Sequence, residues 1–111
     1  MGEQGELEKE FHERMLCLYW EAGYKCGYWA NYFLRGVRNL GGVGEAKRLL
    51  AKKGRPQPGF FKVVKECKRP DLTVEALICD NPNFWILLTK KEMEEARRRL
   101  QDYLHGEPLH C

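Results

Sequence analysis

From Gly41 to Ile78 the chain is cut by Gly41-Gly42, Gly54, Pro56, Pro58-Gly59 and Pro70, so no regular element in that stretch can be long. Between the breaks, apolar residues recur every third or fourth position, the period of one face of a helix. Nothing in the sequence alternates with period two over a useful length, so a strand would find no partner. These constraints predict an all-α fold, a compact orthogonal bundle of about six short helices joined by brief turns.

The periodicity places the helices. The first is expected over 6–22, with Leu7, Phe11, Met15, Leu18 and Ala22 on one face, acids in its first turns and Gly23 as its cap. A second is expected over about 26–40, burying Cys26, Ala30, Phe33, Val37 and Leu40, with the aromatics from Tyr19 to Phe33 forming a core seam whose Tyr and Trp tips reach water. Gly41-Gly42 breaks it, and a third runs from about Val43 to Lys53. Arg55-Pro56-Gln57-Pro58-Gly59 is a turn that no helix crosses. A fourth, over about 59–68, turns Phe60, Val63, Val64 and Cys67 inward, and a short fifth is capped by Asp71 or Thr73. Phe84–Leu88 reads as one helical turn under the bundle. Thr89-Lys90-Lys91-Glu92 has the spacing of a capping box and starts a sixth helix to about Leu104, on which Arg97, Arg98 and Arg99 point three different ways.

At 111 residues, 43% apolar and 32% charged, the chain fits one domain over 1–111, with 1–5 and 105–111 expected to fray. The longest apolar run, Phe84–Leu88, is far short of the ~20 residues that span a bilayer. The acidic start, MGEQGELEKE, is the opposite of a signal peptide, which points to the cytoplasm. Cys17, Cys26, Cys67, Cys79 and Cys111 form no C-x-x-C pair and are expected as reduced thiols, four of them in the core.

A net charge of +3 hides a strong segregation. Residues 47–69 carry nine bases and one acid, whereas residues 1–22 carry six acids and two bases. If the third and fourth helices pack antiparallel, Lys47, Arg48, Lys52, Arg55, Lys62, Lys65, Lys68 and Arg69, with Arg38 nearby, make one basic surface. Such a surface attracts a nucleic-acid backbone through counterion release. It also suits docking against an acidic protein surface.

Other chemistry finds little footing. His105, His110 and Cys111 match no closed zinc spacing, so neither a metal nor a cofactor is expected. His12, on the first helix beside Glu8 and Glu13, is expected to face solvent. There is no serine, and Thr73 and Thr89 both sit at helix starts, where capping explains them. Asp71 and Glu75 at a helix start are explained by capping and the helix dipole. Gly41-Gly42-Val43-Gly44 opens a helix as phosphate loops do, but lacks their Lys-Ser/Thr and a preceding strand.

The aromatics around Tyr28, Ala30 and Phe33, then Gly41-Gly42 with Ala46-Lys47 and Leu49-Leu50, then Gly59-Phe60, Asp71–Leu77 and Glu94–Leu100, form an ordered pattern over roughly residues 24–104. It resembles a small helical domain of many bacterial proteins that has no settled function and sometimes occurs beside nuclease modules. The resemblance implies the helical fold and supplies no catalytic residues. The expected function is a non-enzymatic domain that binds nucleic acid, DNA in preference to RNA, as an accessory to bacterial DNA processing or defence. The alternative is a protein–protein interaction module docking an acidic or apolar surface.

Overall fold

Glycine decides where the first helix stops and where the second bends. The computed structural model describes residues 2–52 and 57–102. Helix α1 runs over Gly2–Cys26, a full turn past the expected end at residue 22. Gly23 does not terminate it, because Gly23 is the spot where the Trp29 ring lies on the helix: a Cβ there would come within 2.2 Å of the ring carbons. Gly27 terminates it instead. With φ at +70° it takes the left-handed conformation a side chain disfavours, and its N–H donates to the Gly23 carbonyl at 3.0 Å.

The turn through Gly27–Ala30 delays the next helix. α2 spans Asn31–Ala51 and bends at Gly41, whose φ of 80° and ψ of 162° lie outside the helix. The expected break at Gly41-Gly42 is therefore a kink between two halves, 31–40 and 42–51. It falls where α2 crosses α1. A Cβ on Gly42 would lie 2.6 Å from His12 Cα, and the Gly42 N–H donates to His12 Nδ1 at 3.0 Å. His12 thus holds a crossing point rather than facing solvent, and the donor that a phosphate at this helix start would need is already engaged.

The segment expected as a helix over 59–68 is shorter and wider. α3 covers Pro58–Phe61 and opens into a π-helical turn, Lys62–Glu66, closed by the Cys67 N–H on the Lys62 carbonyl at 3.0 Å. Lys68, with φ at 61°, then reverses the chain into a 3-10 turn, Pro70–Leu72. Of the two candidate caps for the next helix, Thr73 is the one used: its Oγ1 accepts from the Ala76 N–H at 3.0 Å, and α4 follows over Val74–Cys79. A second 3-10 turn, Pro82–Leu87, buries Phe84 and Leu87 while leaving Trp85 and Ile86 exposed. α5 spans Lys90–Leu100 behind the capping box read from the sequence, with Thr89 Oγ1 accepting from Glu92 N–H at 3.1 Å and Glu92 Oε1 from Thr89 N–H at 2.8 Å. Tyr103 and Leu104, the expected end of this helix, lie outside the described residues.

The all-α fold stands; among the described residues there is no strand. α2 packs along α1, and α5 covers α4 and the second half of α2. The core between them holds Phe11, Met15, Val37, Ala46, Ile78 and Phe84, with the Phe11 and Phe84 rings edge-to-face at 5.1 Å. Truncating a fully buried Phe such as these costs about 3–5 kcal/mol in comparable cores.

Inside that core is an ion. Arg99 of α5 is fully buried; its Nη1 meets Glu75 Oε2 at 2.9 Å and its Nε meets Glu95 Oε2 at 2.7 Å. Nη2 donates to the carbonyls of Leu49 and Lys52 at the end of α2. Those carbonyls have no partner within their own helix, and a cation there also complements the helix dipole. Glu75 sits in the first turn of α4, the helix start expected for it, and is wholly buried there. Burial pushes its carboxyl above the usual carboxylate range, and the Arg99 hydrogen bond pulls it back. Glu95 is held below that range by hydrogen bonds from Arg98 and Arg99. Arg97 lies over the Trp85 ring and Arg98 pairs with Glu95 and Asp102, so the three arginines do take three directions.

Removing one partner of such a pair strands the other charge in the core. Arg99→Met alone should therefore lower unfolding free energy by about 3–5 kcal/mol, and Arg99→Met with Glu75→Leu should recover much of that loss. Urea unfolding of the two single variants and the double variant measures both values.

Candidate functional site

The basic residues singled out by linear charge density do not form a bare cationic face. Lys47 Nζ pairs with Glu92 at 2.9 Å, and Arg48 grips Glu45 through both Nε and Nη2 at 2.8 and 2.7 Å. Lys62 pairs with Glu66 at 3.6 Å, and Arg69 holds Asp71 through two hydrogen bonds of 3.0 and 2.9 Å. Arg38, Lys52, Lys65 and Lys68 are exposed, and Arg55 lies outside the described residues. The antiparallel packing that would have joined the two basic segments is replaced by a different arrangement. The second half of α2 rests on α1 and α5, and the 62–66 turn rests on 70–72. Between the two segments is a hollow.

This hollow is a cavity of about 470 Å³. Its walls come from five stretches. Leu18, Tyr19 and Ala22 line it from α1, and residues 28–33 form the entry to α2. Glu45, Arg48 and Leu49 follow from the second half of α2, Gln57–Phe60 with Val63 from the α3 region, and Leu72–Val74 from the 3-10 turn and the start of α4. Tyr19, Tyr28, Trp29, Tyr32, Phe33 and Phe60 make the lining strongly aromatic. A cavity of this size and character is what small-molecule sites generally present.

Its polar groups largely close on one another. Glu45 is fully buried, and the Arg48 fork neutralises it while holding the guanidinium charged, its pKa raised chiefly by the Glu45 hydrogen bond. Tyr19 Oη donates to Asn31 Oδ1 at 2.9 Å. Thr73 Oγ1 donates to the Pro70 carbonyl at 2.8 Å while accepting from Ala76. Gln57 Oε1 is the exception. It is buried and has no hydrogen-bond partner among the described residues.

Around the cavity, aromatic rings stand in solvent rather than in a core seam. Trp20 is 47% exposed, Tyr24 76%, Trp29 40% and Tyr32 81%. Trp29 is their hub, with ring centroids 5.9 Å from Trp20, 5.1 Å from Tyr24 and 5.5 Å from Tyr19. Arg35 extends the cluster by lying over the Tyr32 ring at 5.3 Å. A contiguous exposed aromatic patch of this kind is uncommon on a surface with nothing to bind.

A disulfide holds two of the walls together. Cys26 and Cys67, expected as reduced core thiols, are bonded, with Cα atoms 5.6 Å apart and a separation of 41 positions in sequence. The chain reversal at Lys68 brings the end of the π-helical turn back to the end of α1, which is why two cysteines without a local motif meet. Beside the bond, Ala22, Val63 and Leu72 pack as a small buried cluster that forms one side of the cavity. Of the remaining cysteines, Cys17 is exposed and Cys79 half-buried, both as free thiols, while Cys111 lies outside the described residues.

Among the described residues no cluster of His, Cys, Asp and Glu has the composition of a metal site. His105 and His110 lie outside them. No protein-family model, curated protein or solved structure matches the chain.

Sequence reasoning noticed the aromatic density of residues 19–33 but assigned it to a core. The available signal was Pro58, which opens α3 and cannot continue a helix from before it. Since the disulfide closes a long loop, replacing Cys26 and Cys67 with Ser should lower unfolding free energy by about 2–4 kcal/mol. Denaturation with and without reductant reads the same loss, and non-reducing peptide mapping should recover the 26–67 pair.

Proposed function

We propose that this protein is a binding domain rather than a catalyst, and that its working face is the aromatic cavity with its exposed rim. The observation that carries this reading is the pairing of a 470 Å³ hollow with exposed aromatic rings, Trp29 and Tyr32 on its lining and Trp20 and Tyr24 packed against Trp29. The groups that could do chemistry are engaged in holding the fold: His12 with Gly42, Glu75 with Arg99, Thr73 and Thr89 as caps. The interaction-module reading shares this face, with a partner's apolar side chain as the guest.

Nucleic-acid binding is the second reading. Arg38, Lys52 and Lys68 support it as exposed cations, and Tyr32 under Arg35 supports it as a ring on which a base could stack. Pairing of Lys47, Arg48, Lys62 and Arg69 with carboxylates makes it the weaker of the two.

The proposed resemblance to the small bacterial helical domain draws support from the roles its motif residues take. Gly41-Gly42 form the kink, while Ala46, Leu49, Leu50 and Phe60 are buried. Among the described residues no helix is long and apolar enough to cross a membrane. The Cys26–Cys67 bond supports an oxidising compartment over the cytoplasmic location suggested by the sequence.

An uncharged reporter dye, N-phenyl-1-naphthylamine, separates the readings. The native protein should bind it saturably at one site with enhanced fluorescence, and Ala30→Trp, which fills the cavity mouth, should abolish the signal. Absence of saturable binding by the native protein contradicts the cavity reading. In parallel, a duplex-DNA mobility shift at ~50 mM salt that weakens steeply with added salt, and is lost in Lys52→Glu/Lys68→Glu, would favour the second.

A further inference from the structure

We propose that the outward face of α1 is a self-association surface, on which a second copy of this chain docks antiparallel about a two-fold axis beside Cys17. The inference goes beyond the cavity reading: it uses the Trp20 and Tyr24 rings but requires no guest.

Successive residues turn by about 100° around a helix, so Glu13, Cys17, Trp20 and Tyr24 fall within about 60° of one another on α1. All four are exposed, on the side away from the buried Phe11, Met15 and Ala22. Trp29, packed against both aromatics, widens the patch. The exposed parts of these three rings amount to roughly 300–400 Å² of apolar surface, about half of what each partner gives to a stable interface. They suit the anchor of a weak dimer.

The flank beside that stripe identifies the occupant. Glu10, Arg14, Glu21 and Lys25 share a neighbouring band of about 60° on the same helix, and all are exposed. Glu10–Arg14 and Glu21–Lys25 have the spacing of pairs within a helix, yet none of the four forms an ion pair among the described residues. Arg69, which feels the Glu21 charge, is itself held by Asp71, and Arg14 is set in place over the Phe84 ring at 5.9 Å. Along the flank the signs run acid, base, acid, base. Glu10 and Lys25, like Arg14 and Glu21, are placed symmetrically about the point between Cys17 and Leu18. When two copies of one helix pack antiparallel about a two-fold axis, a flank meets its own reverse, so that residue i touches j and j touches i. With the axis at that point, Glu10 meets Lys25 of the partner subunit and Arg14 meets Glu21 of the partner subunit, each twice. A parallel pairing would set like charge against like. The exposed pair Trp85 and Ile86 has nothing beside it that indicates an occupant, and the unpartnered Gln57 Oε1 and Glu75 Oε1 are too buried to meet one.

Sedimentation equilibrium of the full chain tests the proposal, in a Cys17→Ser background so that no disulfide between copies contributes. The apparent mass should rise from that of the monomer at ~10 μM toward twice that at ~1 mM, the range of a weak interface. Trp20→Ala should weaken the dimer by about tenfold or more. Glu10→Lys and Lys25→Glu should each weaken it about fivefold, and the two combined should restore the starting affinity. Glu10 and Lys25 stand about 22 Å apart along one helix, so they cannot touch within a chain and only contact between copies gives that rescue. Circular dichroism shows whether each variant is folded, and the charge swaps decide alone if Trp20→Ala is not.

A monomeric mass at every concentration up to ~1 mM would overturn the proposal and leave the cavity reading, which dye binding tests separately, where it stands. A dimer indifferent to a folded Trp20→Ala would overturn the α1 face as its seat. Single charge swaps without effect, or a combined variant that stays as weak as either, would overturn the antiparallel pairing.

Discussion

The guanidinium of Arg99 is the interaction on which the bundle depends. Burying a charge is costly unless its hydrogen-bonding capacity is met, and Arg99 meets it by drawing on three helices at once. It takes a carboxylate from α4, a second from one turn back on α5, and the terminal carbonyls of α2. Each of those groups would be a liability without it. Glu75 would be an unpaired buried acid, and the end of α2 would present bare carbonyls to the interior. The arrangement fixes where α2 stops relative to α4 and α5.

Glycine and cystine position the edge of the cavity. Gly23 admits Trp29 onto the surface of α1, and Gly27 turns the chain so that Trp29 and Tyr32 stand over the opening. The Cys26–Cys67 bond then fastens the returning π-helical turn to α1, so that Ala22, Val63 and Leu72 form a closed wall. With Arg99 fixing one side and the disulfide the other, the segments between can stay apart without collapsing. Pro58 at the start of α3 cannot continue a helix from before it. The cavity is thus a consequence of chain restraints rather than of poor packing; the main core beside it is closed around Phe11, Met15 and Phe84.

Local chemistry was legible in the sequence wherever neighbours in the chain decide the outcome. Thr89 and Glu92 formed the capping box because both halves of it lie within one turn, and Gly41-Gly42 bent the helix because the break is intrinsic to those residues. Outcomes decided across the fold were hidden. Gly23 and Gly27 are equally plausible helix ends by sequence, and only the Trp29 ring distinguishes them. Periodicity placed Arg97, Arg98 and Arg99 on separate faces but could not say which would be buried, since the partners of Arg99 lie at 49, 52, 75 and 95. The charge density of residues 47–69 left its ion pairs hidden for a related reason. Glu45 and Asp71 lie just outside that window and Glu92 far beyond it, yet they pair with Arg48, Arg69 and Lys47. The aromatic run from Tyr19 to Phe33 was visible, but its exposure depends on what does not cover it.

The central claim is that the hollow bounded by α1, α2 and the 57–74 segment is where this protein meets its ligand. Intermolecular nuclear Overhauser contacts between bound N-phenyl-1-naphthylamine and assigned methyl groups test it most directly. Contacts from the ring protons to Leu49, Val63 and Leu72, which line the cavity from three different elements, are expected. Contacts confined to Ile86 beside Trp85, with none to those three residues, would contradict it.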